Sequence, residues 1–184
     1  FPYNTGLSKP TKQSSSIILS KYPLKNNKIV DYHTVLTKVI LDETELTIIG
    51  IHLSPPLNRL LLNLYVDMYA NYTNLTRPQT LPLVNLDIAI KQMEYLKTLV
   101  DNTNQNIILM GDLNMTATSK RFTNFLKDTN LYTFISYKNP TATWPTFLPK
   151  FFGIQLDHVL FSKNFKVTEK KTSDHFGSDH RPLI

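Results

Sequence analysis

Short apolar runs rich in β-branched residues alternate with polar breaks along the chain, a pattern typical of strands. The runs that predict strands are residues 32–41, 46–53, 106–110, 154–161 and 165–172. The polar residues Asp42 to Thr44 separate the first two runs and predict a β-hairpin, and the last two runs are predicted to be two further strands. A shorter apolar run at residues 16–20 ends in a turn, which Pro23 and the polar cluster after it indicate.

Two other segments place their apolar residues at helical spacing. In the first, residues 82–100, these positions are Leu83, Leu86, Ile90, Met93, Leu96 and Val100. Pro82 suits its first turn. The second predicted helix, residues 119–127, has Phe122 and Phe125 on one face and Thr118 available as a cap. Some strands are hairpin-linked and others flank a helix, so we expect a mixed α/β fold in which helices pack on sheets.

Residues 57–69, LNRLLLNLYVDMY, are almost all large and apolar. The segment is too short to span a bilayer, which takes about 20 residues. One interpretation, which we favour, is a helix that faces the core. The other is an exposed lid or a lipid-facing ridge at the membrane surface, because the segment follows His52 closely.

Composition limits the class of protein without naming its substrate. The 184 residues favour one domain, residues 1–184, and are enough for a sizeable core. The formal net charge of +6 is compatible with an anionic partner, whether nucleic acid, anionic lipid or a small phosphate. The absence of cysteine excludes disulfides, a thiolate nucleophile and a cysteine-based zinc site. No signal peptide or apolar anchor is apparent at the N-terminus, and we expect both ends to be cuts within a longer protein.

Polar residues with catalytic potential follow or interrupt several of the predicted strands. They are His52, Asp112, Asn114, Asp157, Asp179 and His180. Strand ends in an α/β fold are rigid supports from which side chains can converge on one crevice. Three carboxylates and an amide supply hard oxygen ligands for Mg²⁺ or Mn²⁺, and two imidazoles supply bases that titrate near neutrality. The set therefore predicts a hydrolytic metal site.

Each of these residues taken alone has an ordinary structural explanation. Asp112 could be a turn residue, and Asp157 could belong to a structural ion pair. Asp174 and His175 repeat the Ser-Asp-His triplet and offer a rival register, which we interpret as a solvated loop. Trp144 could stack on a base, although packing is the more common use of a tryptophan. The joint occurrence of the set, in this order, is what favours catalysis.

The ordered motifs HLSPP, MGDLN, Thr143–Trp144, LDHVLFS and GSDHRPL resemble the signatures of the endonuclease/exonuclease/phosphatase superfamily. The stretch SIILSKYPL resembles the strand and turn that precede them in that family. The resemblance covers nearly the whole chain and implies a two-sheet α/β sandwich flanked by helices, a deoxyribonuclease-like fold. The forms of HLSPP and LDHVLFS look most like those of bacterial, often membrane-tethered members, which implies an extracytoplasmic placement.

The resemblance also implies a role for each site residue. Asp112 would orient or deprotonate the attacking water, and Asn114 would hold that water or the phosphate. Asp179 would contact the divalent metal, with Asp112 and Asn114 beside it. His180 would bind a phosphate oxygen or act as a base, oriented by Asp157. His52 would stabilise the developing charge or protonate the leaving oxygen.

This chain departs from the family pattern at its start. Members carry an Asn and then a metal-binding Glu on strands that come before the equivalent of SIILSKYPL, and those strands are missing here, so we expect an N-terminally incomplete domain. The favoured function is a Mg²⁺- or Mn²⁺-dependent phosphodiesterase that acts on nucleic acid or a lipid-linked phosphate. The alternative is a non-catalytic binding or scaffolding module on the same fold, which the missing Glu supports.

Overall fold

A six-stranded mixed sheet carries three of the candidate site residues, His52, Asp112 and Asp157. The computed structural model describes residues 1–5, 16–31, 33–55, 86–103, 106–134, 141–173 and 177–184. The strands are β1 (Tyr3–Asn4), β2 (Leu19–Ser20), β3 (Leu24–Ile29), β4 (Thr34–Leu41), β5 (Thr44–His52), β6 (Ile107–Asp112), β7 (Tyr132–Thr133) and β8 (Asp157–Phe161). The helices are α1 (Leu86–Asp101) and α2 (Lys120–Thr129), with a 3₁₀ turn at Lys150–Phe152.

The strands of the large sheet run in the order β3-β4-β5-β6-β8-β7, and β1 and β2 pair separately. All neighbours in the large sheet are antiparallel except β5 and β6, which are parallel. α1 lies between β5 and β6 in the chain, as expected for a crossover between parallel strands. The mixed α/β class predicted from the sequence is confirmed.

The predicted hairpin is confirmed, with a turn one residue shorter than expected. β4 and β5 pair antiparallel, and Leu41 faces Thr44 across a two-residue turn. Both turn residues, Asp42 and Glu43, have positive φ, 45° and 67°. Two successive positive φ angles match the right-handed twist of the flanking strands, and Asp tolerates that conformation better than most residues.

Both described helices pack on one face of the large sheet. Leu96 and Val100 of α1 and Phe122 and Phe125 of α2 are buried there. They cover a group of sheet residues that includes Ile49, Ile51, Leu109 and Leu160. The helical prediction is confirmed for the described part of residues 82–100 and for residues 119–127. The cap of α2 is Ser119 rather than Thr118, since the Ser119 Oγ atom accepts a hydrogen bond from the Phe122 amide at 3.2 Å.

Three sequence predictions differ from the structure. Residues 24–29, expected to be a turn, form β3, a polar strand at the edge of the sheet with an irregular register between Lys25 and Lys28. Residues 165–172, expected to be a strand, make only an isolated bridge between Thr172 and Leu183. In the run 154–161 the strand begins at Asp157, and Ile154 instead bridges to Trp144.

Several predicted features lie outside the described residues. They are the apolar segment 57–69, the start of the first predicted helix at residues 82–85, and the rival pair Asp174 and His175. Within the described ranges, no helix combines the length and apolar character needed to cross a membrane.

Candidate active site

Three site residues lie in one row across adjacent strand ends. His52 ends β5 and is paired with Asp112, which ends the parallel strand β6. Asp112 is in turn paired with Asp157, the first residue of the antiparallel strand β8. Because directly paired residues project from the same face of a sheet, all three side chains share one face. His52 Nε2 lies 3.7 Å from Asp112 Oδ2.

Glycine at position 111 allows β6 to approach β5 closely just before Asp112. Gly111 has a φ of +139°, and a Cβ atom there would lie 1.9 Å from the carbonyl oxygen of Ile51. No other residue fits this position without moving the backbone. The Gly that precedes Asp112 in the motif MGDLN therefore has a structural cause.

Asn114 holds the Asp112 carboxylate from the turn that follows β6. The Asn114 backbone has a φ of 50°, and its amide donates to Asp112 Oδ1 at 2.7 Å. The side-chain nitrogen donates to Asp112 Oδ2 at 3.1 Å and to the Leu53 carbonyl at 2.7 Å. Because this nitrogen is committed to two acceptors, the amide oxygen is the atom available to a ligand.

His180 lies between the two carboxylates of the row. Its Nδ1 atom is 2.7 Å from Asp157 Oδ2, and its Nε2 atom is 3.9 Å from Asp112 Oδ2. The hydroxyl of Thr143, which is fully buried, accepts the backbone amide of Asp157 at 3.2 Å. The spatial convergence expected from the sequence is therefore present for His52, Asp112, Asn114, Asp157 and His180.

Arg181 fixes the segment that carries Asp179 and His180, and sequence reasoning did not identify it. The side chain is 7% exposed and donates to the carbonyls of Pro145, Thr146 and Leu148 at 2.9, 3.0 and 2.6 Å. In return, the Thr146 amide donates to the Asp179 carbonyl at 3.0 Å. The motif GSDHRPL is thus joined to the loop after Trp144. A basic residue directly after the Asp-His dipeptide was the only sequence signal.

Burial and crowding of charges shift the pKa values of the row. Burial, followed by the negative charge of Asp157, raises the pKa of Asp112 to about 7. Burial also opposes ionisation of Asp157, but the hydrogen bond and charge of His180 outweigh it and lower the Asp157 pKa. For His180, burial is outweighed by the hydrogen bond and charge of Asp157, so the pKa is raised. Burial and the neighbouring His33 lower the pKa of His52.

The donor set suits a hard divalent cation only in part. Asp112 and Asp179 supply carboxylate oxygens and Asn114 an amide oxygen, which are the ligand types that Mg²⁺ and Mn²⁺ take. The charge of Asp179 adds to those that raise the Asp112 pKa, so negative charge accumulates here that a cation would offset. In the part of the chain that the structure describes, however, no group of three or more His, Cys, Asp or Glu residues is arranged to hold a metal ion.

Solved structures of similar fold come from toxins and nucleases. The beta toxin of Staphylococcus aureus, in a mutant crystal structure with bound magnesium ions, has a TM-score of 0.58 and 18% identity, over 100% of this chain and 77% of the toxin chain. The endonuclease domain of TRAS1, a telomere-specific non-LTR retrotransposon, has a TM-score of 0.58 and 12% identity, over 91% of this chain and 68% of its own. The AP endonuclease LMAP of Leishmania major has a TM-score of 0.54 and 15% identity, over 83% and 54%.

These likenesses establish the fold. The chain belongs to the Endonuclease/Exonuclease/phosphatase family, whose sequence model matches residues 3–180. No curated protein sequence gives a significant match to this chain. The family resemblance expected from the motifs is confirmed.

Proposed function

We propose that this chain carries the active site of a divalent-metal-dependent phosphodiesterase. The observation that carries the proposal is the position of His180, whose two ring nitrogens face Asp157 and Asp112 at 2.7 and 3.9 Å. A carboxylate bonded to one nitrogen fixes the tautomer and the orientation of the ring, so the other nitrogen is presented to a ligand. A packing histidine would not need two carboxylates.

In this proposal His180 binds a phosphate oxygen rather than acting as the base. Its raised pKa favours the imidazolium, which is a cation with an N–H directed into the site. Asp112, which Asn114 holds and which faces both imidazoles, would orient the attacking water or take its proton. His52 lies on the opposite side of Asp112 in the strand row, where its Nε2 would face the leaving oxygen.

Asp179, Asp112 and Asn114 would hold the cation, Mg²⁺ or Mn²⁺. When bound, the cation would neutralise the negative charge on the phosphate oxygens. The chemistry of the donors and the bound magnesium of the similarly folded beta toxin support this assignment. Asn114 positions the water, since the nitrogen of its amide already fixes Asp112.

The substrate class we favour is a phosphodiester at a lipid–water interface, and nucleic acid is the second candidate. Phe151 and Phe152 are 75% and 66% exposed and stack on each other with ring centroids 4.2 Å apart. They lie in the 3₁₀ turn of the loop that Arg181 fixes at Leu148, next to the segment that carries His180. Exposed aromatic rings on a fixed loop suit the interface between water and lipid. The same rings could stack on bases.

A non-catalytic binding module is the other function class, and it is favoured by the absence of a three-ligand metal group within the described ranges. The test is hydrolysis of bis(p-nitrophenyl) phosphate by the full-length protein with Mg²⁺, compared with Asp179→Ala and His180→Ala. We expect each variant to lose about 10²–10⁴-fold in rate. Equal turnover by all three proteins would refute the assignment, and absence of turnover with retained phosphate binding would favour the binding module.

A further inference from the structure

A series of polar groups adjoins Asp157 without taking part in the contacts of the row. It runs from the Lys170 ammonium to the Gln155 side chain, then to the His158 ring and the Met115 carbonyl. We call these four groups the polar chain. Gln155 contacts the backbone of Asp157 and His158 contacts the residue after Asn114, so the geometry of the polar chain bears on the spacing of the site.

The orientation of the Gln155 amide is fixed by its neighbours. Its Oε1 atom accepts from Thr141 Oγ1 at 2.7 Å and from Lys170 Nζ at 3.0 Å. Because the Lys170 ammonium can only donate, the atom that it faces has to be the oxygen. The nitrogen therefore faces the Asp157 carbonyl at 2.9 Å and His158 Nδ1 at 3.3 Å. Gln155 thus holds the backbone of the residue that orients His180.

His158 carries the connection to the other half of the site. The side chain is 1% exposed and its ring stacks at 4.4 Å on Phe122. Since Gln155 donates to Nδ1, the hydrogen of the neutral ring is on Nε2, which donates to the Met115 carbonyl at 2.8 Å. Met115 directly follows Asn114 in the chain. The polar chain therefore joins the start of β8 to the turn that holds Asp112.

Lys170 completes the arrangement from a segment that lacks regular pairing. Its ammonium donates to the Phe134 carbonyl at 2.8 Å as well as to Gln155. A half-buried lysine is costly unless its hydrogen bonds are satisfied, and both of these acceptors satisfy it. Without Lys170, the Gln155 oxygen would keep only Thr141, and the amide could rotate.

We propose that Gln155, held by Lys170, is a positioning residue that sets the spacing between the Asp157–His180 pair and the turn of Asp112 and Asn114. The proposal rests on the function proposed above. It assigns no contact with substrate to Gln155. Its effect on turnover comes through the Asp157 backbone on one side and through His158 and Met115 on the other.

The test compares Gln155→Leu and Gln155→Glu with the wild type by two measurements, one of which needs no turnover. Gln155→Glu keeps acceptors for Thr141 and Lys170 but removes the donor to Asp157 and His158. Thr133→Val is the matched control, because the Thr133 hydroxyl donates at 3.1 Å to the Val159 carbonyl of the same strand β8 but lies outside the polar chain. Lys170→Met removes the donor that holds the Gln155 oxygen, and Lys170→Arg replaces it with another donor. We therefore expect the arginine variant to behave like the wild type.

The first measurement is the ¹⁵N NMR spectrum of the histidine rings in folded protein. We expect the Nε2–H tautomer of His158 in the wild type and the control, and in both Gln155 variants a shifted His158 Nδ1 signal, because Nδ1 loses its donor, together with a shifted His180 signal. The second is steady-state kinetics, where Gln155→Leu and Lys170→Met should lower kcat about tenfold while KM stays within about twofold.

Unchanged His158 and His180 spectra in a folded Gln155 variant would overturn the proposal, whatever the activity. An unchanged kcat in an active variant would also overturn it. If Gln155→Leu does not fold, Gln155→Glu and the Lys170 pair still decide. If the wild type shows no hydrolysis, the proposed function fails by itself, and the NMR comparison still judges the polar chain.

Discussion

His180 and Asp157 contact each other at 2.7 Å although 23 positions separate them in the chain. The contact joins the first residue of β8 to a segment without regular secondary structure, and it places the second ring nitrogen of His180 toward Asp112. A carboxylate in this position does more than pair a charge, because its hydrogen bond fixes the orientation of the ring and raises the His180 pKa. The pair is therefore the part of the site whose alteration has the clearest expected consequences.

We predict that Asp157→Asn lowers the pKa of His180 and lowers kcat by about 10–100-fold with little change in KM. The direction follows because the Asp157 hydrogen bond and charge are the causes that raise this pKa against the effect of burial. Histidine-selective NMR titration measures the pKa, and hydrolysis measures kcat. An unchanged His180 pKa would show that the 2.7 Å contact is not made in solution.

Gly111→Ala should destabilise the protein by about 3 kcal/mol or more, because the new Cβ meets the Ile51 carbonyl and the φ of +139° is strained for any other residue. Gly177→Ala is the matched control. Its φ is also positive, +81°, but nothing lies within 4 Å, so we expect a loss of about 1 kcal/mol. Urea denaturation compares the two, and equal losses would contradict the close approach of β5 and β6.

Arg181→Met should cost about 3 kcal/mol of stability, since it leaves three carbonyl oxygens without their buried donor. It should also reduce kcat, because Asp179 and His180 lose the anchor of their segment. Lys171→Met is the control. It removes a cation whose ion-pair partner, Glu169, is exposed, so the free energy of unfolding should fall by less than about 1 kcal/mol. Similar thermal unfolding of the two variants would contradict the anchoring role.

His158 should make stability depend on acidity. Burial lowers its pKa to about 4 from an ordinary value near 6.5, so as the pH falls the unfolded chain takes up the proton first. The contribution of the neutral His158 ring to the free energy of unfolding is present in full above pH 6.5. It is lost at about 1.4 kcal/mol per pH unit as the pH falls from 6.5 to 4. The free energy of unfolding of His158→Phe, measured in urea over this pH range, should lack this dependence on pH. Parallel curves for wild type and variant would contradict a neutral buried ring.

The exposed aromatic pair gives a test of the substrate class. Phe151→Ser with Phe152→Ser should reduce hydrolysis of a phosphodiester presented in phosphatidylcholine vesicles by about tenfold and leave soluble bis(p-nitrophenyl) phosphate unaffected. Both rings are largely exposed, so the fold should be retained. Phe134→Ser, at another exposed phenylalanine, is the control. If only DNA cleavage falls in the double variant, nucleic acid is the favoured substrate instead.

Local patterns were sufficient to predict the hairpin, β6 and both helices, because their apolar spacing is set by the face they bury. β3 was missed since its sequence LKNNKI is polar, as an edge strand exposed on one side can be, and its pairing is determined by β4. Residues 165–172 alternate between polar and apolar as a strand does. Their backbone nevertheless pairs with the last residues of the chain only near Thr172. Pairing partners, unlike spacing, are not local information.

The site was predictable in its members but not in its supports. Polar residues at strand ends indicated His52, Asp112, Asn114, Asp157 and the Asp-His dipeptide. The strand register then brings His52, Asp112 and Asp157 into one row. Arg181 was missed because its partners are backbone carbonyls 33 to 36 positions away, and Gln155 because Thr141 and Lys170, which fix its orientation, lie 14 and 15 positions away. Such contacts depend on the tertiary structure and leave no periodic signal.

The central claim is that water attacks a phosphorus centre held between His52, Asp112 and His180. The most direct measurement is hydrolysis of bis(p-nitrophenyl) phosphate by the full-length protein in H₂¹⁸O with Mg²⁺, with mass spectrometry of the phosphate product. We predict one ¹⁸O in each p-nitrophenyl phosphate released by the wild type and almost no product from Asp112→Asn or His180→Ala. Release at wild-type rates by either variant would contradict the claim.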